Sequence, residues 1–112
     1  MTRVIVWGIA TLIAALAGAA NAEEGTASHY DPSSGAKVAC GGALDTRALT
    51  AAHRTLPCGT RVRVHNKQNG RSVVVTINDR GPHVRGRIID VTPAAATVLG
   101  FNGVARVAVT TE

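Results

Sequence analysis

Aromatic residues are nearly absent from this 112-residue chain, which contains one Trp, one Tyr and one Phe. Proteins that bind single-stranded nucleic acid stack bases on several aromatic side chains, and Tyr30 and Phe101 are too few to form such a surface. The basic residues give the chain a formal net charge of +5, yet they are scattered rather than gathered in a run. This charge favours an anionic polymer as the partner. The scattered pattern predicts that nucleic acid is not that partner.

Charged residues are also scarce at the N-terminus. Arg3 is followed by an uncharged, mostly apolar run at 4–20, and the small-x-small motif Ala-Asn-Ala comes directly after it. The run is shorter than the about 20 residues that span a bilayer, so these features predict a signal peptide at 1–22. We expect export to the periplasm or the medium and a mature domain at 23–112. A lipid anchor is not expected, because no cysteine stands directly after the run to become the N-terminal residue. The alternative is an uncleaved membrane anchor.

Cysteine occurs only twice, as Cys40 and Cys58. In an exported chain an even pair predicts a disulfide, and closing a loop of about 18 residues is worth roughly 3 kcal/mol in the chain-entropy description. A zinc site is the alternative, and it would have to recruit His53 or His65. The sequence has neither C-x-x-C nor H-x-x-x-H spacing. A disulfide is therefore favoured, and no metal or other cofactor is expected.

Short apolar or alternating segments, separated by turn residues, fill the rest of the chain. They predict strands near 25–30, 48–52, 60–66, 73–77, 87–91 and 103–109. Asn69-Gly70 predicts a hairpin between the third and fourth strands. Thr92 as N-cap, Pro93 at the first position and Gly100 as the stop predict one short helix. Because a closed barrel leaves no exposed strand edge, the pattern predicts an all-β, six-stranded small barrel with one short helix.

Asp79 stands where the apolar β-branched run at 73–77 gives way to polar and turn residues. Gly81-Pro82 then turns the chain. A carboxylate at the mouth of a buried strand is held rigidly yet faces solvent, which suits a catalytic acid. The alternative is that Asp79 caps the turn through its own backbone. The local sequence leaves both interpretations open.

Five runs of residues are distinctive. They are Thr-Ala-Ser-His-Tyr at 26–30, Ala-Leu-Thr-Ala-Ala-His-Arg-Thr-Leu-Pro at 48–57, Thr-Arg-Val-Arg-Val at 60–64, Val-Thr-Ile-Asn-Asp-Arg-Gly-Pro at 75–82 and Arg-Ile-Ile-Asp-Val-Thr-Pro-Ala-Ala-Ala at 87–96. Together they resemble the rare lipoprotein A (RlpA) family over essentially the whole predicted mature domain. The resemblance implies a double-psi β-barrel, the fold of expansins. It also implies a lytic transglycosylase that cleaves peptidoglycan glycan strands, preferably lacking stem peptides, to 1,6-anhydro-muramic acid ends.

The resemblance further implies a set of catalytic candidates. Asp45, His53 and Asp79 match positions of the family's active cleft, and Asp90 matches the acid of expansin-type barrels. Gly42 departs from the pattern, because the family usually has a Glu there that is a leading candidate for the general acid. A lytic transglycosylase needs one group that protonates the departing oxygen and then deprotonates the muramic C6 hydroxyl. Asp79 or Asp90 is the expected acid/base.

Structural alternatives exist for three of these residues. Asp45 can form a local Asx turn, His53 can bond to backbone, and Asp90 can support the Thr92 cap. For the whole domain, the alternative to an enzyme is a non-catalytic, expansin-like module that binds or loosens cell-wall glycan, and Gly42 favours it. Either way, the expected partner is the peptidoglycan glycan strand. We expect a monomer that keeps no stable membrane anchor after signal cleavage.

Overall fold

The computed structural model describes residues 22–31 and 36–112. The predicted signal peptide lies outside these residues, apart from Ala22. Across the two described ranges, no helix is long and apolar enough to cross a membrane.

Six strands and one helix make up the described domain. They are β1 (Glu23–His29), β2 (Thr50–Ala52), β3 (Arg61–Asn66), β4 (Ser72–Asp79), β5 (Arg87–Val91), α1 (Pro93–Leu99) and β6 (Val104–Thr111). The six predicted strands and the predicted helix are confirmed, with ends that differ by a few residues. β1 begins before residue 25, because Glu23 and Glu24 pair with Val109 and Ala108 of β6. Two glutamates do not show the alternation by which a strand is recognised in a sequence.

The strands close into a barrel in the order β1-β5-β2-β4-β3-β6. The pairs β1–β5 and β2–β4 are parallel, and the other four pairs are antiparallel. The predicted hairpin joins β3 to β4 through Asn69-Gly70, where Gly70 has a φ of +81°. Each strand therefore has a neighbour on both sides, so the barrel has no exposed edge. This confirms the predicted all-β barrel with one helix.

The core follows the alternation that the sequence shows. In β3, Val62 and Val64 are fully buried whereas Arg61 and Arg63 face solvent. Further buried side chains from the other strands are Ala27, Val73, Val75, Ile77, Ile89, Val91, Val107 and Val109. The helix packs against this core through small and apolar side chains, namely Ala95, Ala96 and Leu99.

Helix α1 has the end groups that the sequence predicts. The Ala95 N–H donates to the Thr92 hydroxyl oxygen at 3.3 Å, and Pro93 occupies the first turn. At the other end, Gly100 adopts a left-handed φ of +75°, which glycine reaches without strain. The buried amide of Asn66 donates to the Leu99 carbonyl at 2.9 Å. The last turn of the helix is thereby attached to β3.

Cys40 and Cys58 form a disulfide, with Cα atoms 5.9 Å apart. This confirms the prediction, and the zinc alternative is wrong because neither thiol is free. The bridge joins the loop before β2 to the loop before β3. The Cys40 N–H donates to the Asn78 carbonyl at 3.0 Å, and the Gly59 N–H donates to the Ile77 carbonyl at 2.8 Å. Both loops are therefore bound along the end of β4.

Candidate active site

A row of residues crosses four neighbouring strands at one end of the barrel. Ser28 of β1 pairs with Asp90 of β5, Asp90 pairs with Ala52 of β2, and Ala52 pairs with Asp79 of β4. Both chain neighbours of Asp90 in β5 are buried in the core, so Asp90 points away from the core. The row, Ser28-Asp90-Ala52-Asp79, places two carboxylates two strands apart, which is roughly 10 Å between their backbones.

A bulge between β2 and β4 brings Asp79 into this row. Ala51 lies opposite Ile77, whereas the next residue, Ala52, lies opposite Asp79, so Asn78 is the extra residue. Without the bulge, the alternation of β4 would place Asn78 beside Ala52 and direct Asp79 to the face of the buried Ile77. The irregular pairing therefore decides which polar residue of β4 joins the site.

Asp79 accepts hydrogen bonds from three donors. Its Oδ2 accepts from the Tyr30 hydroxyl, and its Oδ1 accepts from the N–H groups of Ala39 at 2.7 Å and Arg80 at 2.9 Å. Burial by itself raises the pKa of Asp79, but these hydrogen bonds and the Arg80 charge outweigh it and hold that pKa below its usual range. Ala39 precedes the disulfide-bonded Cys40, so the bridge helps to position one donor. Asp79 is an anion at neutral pH.

Asp90 has the opposite electrostatic setting. Burial raises the pKa of Asp90, and the negative charge of Asp79 raises it further. The Ser28 hydroxyl, which donates to Asp90 Oδ1 at 3.3 Å, and the charge of Arg87 oppose this rise without cancelling it. Asp90 thus keeps its proton to a higher pH than an ordinary carboxyl. Two carboxyl groups whose pKa values are shifted apart can divide acid and anion roles between them.

Tyr30 is a site residue that the sequence analysis missed. Burial raises the pKa of Tyr30, and its hydrogen bond to Asp79 raises it further, so the hydroxyl remains a neutral donor. The negative charge of Asp90 raises the pKa of Tyr30 a little further. One signal was available in the sequence. Ser28 and Tyr30 are two residues apart, and alternate residues of a strand share a face.

His53 directly follows β2, but its ring bonds to groups other than Asp79 and Asp90. It is only 5% exposed, and its Nδ1 accepts from the N–H groups of Thr55 and Leu56, both at 3.1 Å. Since an acceptor nitrogen carries no proton, the proton is on Nε2, which donates to Glu23 Oε1 at 2.9 Å. These are the contacts of a structural histidine. Its link to the site is the backbone N–H, which donates to the main-chain oxygen of Asp79 at 3.1 Å.

Asp45 is exposed, and its Oδ1 accepts from the Arg47 N–H at 3.0 Å, as in an Asx turn. Among the described contacts, none joins Asp45 to Asp79 or Asp90. Gly42 has a φ of +84°, and a Cβ there would meet no atom within 4 Å. The described ranges also hold no group of three His, Cys, Asp or Glu side chains placed to bind a metal ion. Of the four predicted catalytic residues, only Asp79 of β4 and Asp90 of β5 lie in the row that crosses the strands. The catalytic roles of all four residues remain predictions.

A comparison with known families shows the relationship of this chain. The profile of the family described as "Lytic transglycolase" matches residues 22–110. The chain belongs to this family. The match includes all six strands except the last residue of β6, and it confirms the resemblance to RlpA proteins that the sequence motifs indicate.

Two relatives of this lytic transglycolase family member are both named "Probable endolytic peptidoglycan transglycosylase RlpA". The one from Nostoc sp. is 57% identical over 83 residues, which cover 71% of this chain and 22% of the relative. The one from Treponema pallidum is 47% identical over 108 residues, which cover 94% of this chain and 33% of the relative. The chain thus spans a third or less of the length of these relatives.

Solved structures show the same barrel. An apo expansin from Clavibacter michiganensis aligns with a TM-score of 0.63 at 23% identity, over 81% of this chain and 50% of the expansin. At this identity the likeness shows the fold alone. The expected double-psi β-barrel is confirmed.

Proposed function

We propose that this domain is an endolytic lytic transglycosylase that cleaves peptidoglycan glycan strands and leaves 1,6-anhydro-muramic acid ends. The observation that carries the proposal is the row in which the pKa values of Asp79 and Asp90 are shifted in opposite directions. The family and the names of its members supply the substrate class. Because the chain spans only part of those relatives, the activity has to be measured on this domain itself.

Asp90 acts as the acid in the first step. Its carboxyl proton passes to the glycosidic oxygen while the bond from that oxygen to C1 of the muramic acid breaks. Positive charge then develops on the ring at C1, as in other glycosidic cleavages. Asp79 remains ionised because Tyr30 and two backbone N–H groups stabilise its charge. A fixed anion in the same row stabilises the developing positive charge.

Asp90 acts as the base in the second step. Its carboxylate takes the proton of the muramic C6 hydroxyl while that oxygen bonds to C1. This closes the 1,6-anhydro ring and returns Asp90 to its starting form, so no water molecule is consumed. A group that serves as acid and then as base works best when its pKa lies near the ambient pH. The raised pKa of Asp90 meets this requirement better than the lowered pKa of Asp79.

The decisive experiment is digestion of purified sacculi, with and without stem peptides, followed by mass spectrometry of the glycan products. Wild type should release anhydro ends, preferentially from strands that lack peptides. Asp90→Asn should lower this release by roughly 10²–10⁴-fold, the usual share of acid–base catalysis. Glu112→Gln removes an exposed carboxylate outside the row and should match wild type. Products heavier by one water molecule would indicate hydrolysis and contradict the proposed second step.

A non-catalytic, expansin-like glycan-binding module is the second candidate. Gly42 favours it, because the resemblance to the family implies a Glu at this position. This candidate predicts that wild type cosediments with sacculi but releases no anhydro ends. Asp79→Asn and Asp90→Asn would then change only the amount of bound protein.

We also propose that the protein is exported, works in the periplasm or the medium, and is a monomer. The predicted signal peptide and the Cys40–Cys58 disulfide support export, since disulfides persist in oxidising compartments. Intact-mass analysis of protein from the periplasm and the medium should give a chain that begins at Glu23 and has no free thiol. Light scattering should give the mass of one such chain. A mass that includes residues 1–22 would contradict the cleavage.

A further inference from the structure

A depression of about 230 Å³ opens beside α1, at the end of β1. Its lining residues are His29, Pro93, Ala96, Thr97, Phe101 and Asn102. The mechanism above assigns no role to this depression, which we call the α1 pocket. Its volume is below the roughly 300–1,000 Å³ of pockets that bury a drug-sized ligand, so it suits a smaller group such as a single sugar ring.

The lining of the α1 pocket suits an uncharged ligand with one apolar face. Pro93, Ala96 and Phe101 supply apolar surface, whereas Thr97 and Asn102 supply a hydroxyl and a side-chain amide. The lining contains no carboxylate, lysine or arginine. A sugar ring presents C–H groups that pack on an aromatic ring and hydroxyls that bond to polar side chains. An acetamido substituent adds a methyl group for the apolar surface and an amide that can pair with another amide.

His29 connects the α1 pocket to the row of carboxyl groups. Its Nδ1–H donates to the Tyr30 carbonyl at 2.9 Å, and its Nε2 accepts from the Gly103 N–H at 3.0 Å. Its ring centroid lies 5.8 Å from that of Phe101. In β1, His29 follows Ser28, whose hydroxyl donates to Asp90 Oδ1 at 3.3 Å, and it pairs with Val91, the residue after Asp90. The lining of the α1 pocket therefore begins one residue from Ser28, the hydrogen-bond partner of Asp90.

The α1 pocket is also close enough to Asp90 for one glycan strand to reach both. Pro93 follows Asp90 by three residues, which limits their backbones to a separation of roughly 10 Å. A short oligosaccharide spans such a distance. A glycan strand lying across the row can therefore place a neighbouring sugar in the α1 pocket.

We propose that the α1 pocket is a subsite for one N-acetylated sugar of the glycan strand, adjacent to the sugar that is cleaved. The inference rests on the proposed function, and it adds a reason for specificity. The pocket selects an N-acetylhexosamine over an unsubstituted glucose, because the acetamido group contacts both the apolar surface and the Asn102 amide. A stem peptide is a poorer occupant, because its carboxylates would meet no positive side chain in this lining.

Binding is measured on the Asp90→Asn protein, in which we expect turnover to be lowered by roughly 10²–10⁴-fold. Chitotetraose and cellotetraose are titrated into the ¹⁵N-labelled full chain, and backbone amide shifts are followed by NMR. We expect chitotetraose to shift the amides of Thr97, Phe101 and Asn102, with an affinity about tenfold or more above that of cellotetraose, or about 1.4 kcal/mol. Equal affinity for the two probes, or shifts confined to residues outside the α1 pocket, would overturn the inference.

Two neighbouring helix positions provide a matched pair of variants. Thr97→Trp fills the pocket, whereas Val98→Trp adds the same side chain at a position that is 46% exposed and does not line it. We expect Thr97→Trp to weaken chitotetraose binding about tenfold or more and Val98→Trp to leave it unchanged. Phe101→Leu provides a second test that keeps an apolar side chain but removes the aromatic ring. Unchanged binding in both Thr97→Trp and Phe101→Leu would refute the subsite.

Kinetics on peptide-free glycan strands separate this inference from the proposed function. With Asp90 present, Thr97→Trp should raise KM and leave kcat nearly unchanged, because the pocket binds a sugar that does not react. If wild type releases no anhydro ends but chitotetraose still shifts the pocket amides, the transglycosylase proposal fails and the subsite stands. If anhydro ends are released and the pocket amides do not shift, the subsite is wrong and the activity stands.

Discussion

Replacing Tyr30 by Phe tests whether a single hydroxyl stabilises the anionic form of Asp79. The phenyl ring keeps the packing, so the change removes one hydrogen bond to a carboxylate that still accepts from Ala39 and Arg80. A hydrogen bond to a charged group contributes about 1.5–3 kcal/mol. Asp79 is only half-buried, so we expect the lower end, a loss of about 1.5 kcal/mol in the free energy of unfolding at neutral pH.

The loss should depend on pH, because a donor to a carboxylate lowers the pKa of that carboxylate. The folded-state pKa of Asp79 lies below its ordinary value. Its ionised form therefore contributes stability that is complete above the unfolded-state pKa of about 3.9. That contribution is lost as the pH falls through the folded-state pKa. Tyr30→Phe raises the folded-state pKa, so its cost is largest at neutral pH and falls in acid to about 0.5–1 kcal/mol, the value of a neutral hydrogen bond.

Thermal unfolding followed by circular dichroism at neutral and acidic pH measures both values. A loss of about 1.5 kcal/mol corresponds to a decrease in Tm of roughly 6–12 °C for a domain of this size. Thr110→Val, at an exposed position of β6, removes a hydroxyl outside the site and should change stability by less than about 0.5 kcal/mol. An equal loss at neutral and acidic pH, or no loss at all, would show that the Tyr30 hydroxyl does not donate to an ionised Asp79.

Three further predictions concern stability and the role of the site loops. Burial raises the folded-state pKa of Asp90, so its ionisation destabilises the fold as the pH rises through that pKa. Asp90→Asn should therefore raise Tm at neutral pH and hardly change it in acid. An equal rise in Tm at both pH values, measured by thermal unfolding, would contradict this. The Glu side chain of Gly42→Glu would have open space, but residue 42 has a φ of +84°. Urea unfolding should therefore show a loss of about 1–2 kcal/mol in the free energy of unfolding. If the missing carboxyl limits turnover, release of anhydro ends should nevertheless rise. Replacing Cys40 and Cys58 by Ser should lower the free energy of unfolding by about 2–5 kcal/mol. It should also loosen the Ala39 N–H and so raise the pKa of Asp79, measured by ¹³C NMR titration. An unchanged pKa would show that the disulfide does not position the Ala39 N–H.

Local patterns in the sequence were sufficient for the secondary structure and for one covalent link. Alternating valines in β3 predicted a strand with one buried face, and Asn69-Gly70 predicted the turn that follows it. Thr92 and Gly100 marked the ends of α1 through groups within a few residues of each helix end. Two cysteines in a chain with a predicted export signal allowed one intrachain disulfide, which the structure contains. These features depend on neighbouring residues, which is why one sequence reveals them.

The site was only partly predictable. Motif resemblance predicted catalytic roles for Asp45, His53, Asp79 and Asp90, but it did not predict their hydrogen-bond partners. Asp45 accepts from the Arg47 N–H, and the His53 ring bonds to Glu23 and to two backbone N–H groups. Those partners depend on how loops and chain ends pack. Glu23 and His53, for example, are 30 residues apart in the sequence. Residue periodicity carries no information over such a separation.

The sequence by itself determined which segments are strands, where the helix begins and ends, and which side of each strand is apolar, because each of these depends on local backbone preference and burial. The tertiary structure alone decided the strand order, the two parallel pairs and the bulge at Asn78 that places Asp79 in the row. It also decided that Tyr30 contacts Asp79 across 49 residues and that Ser28 contacts Asp90 across 62. The opposite pKa shifts of the two carboxyl groups follow from these contacts and from burial, so they arise only when the barrel closes.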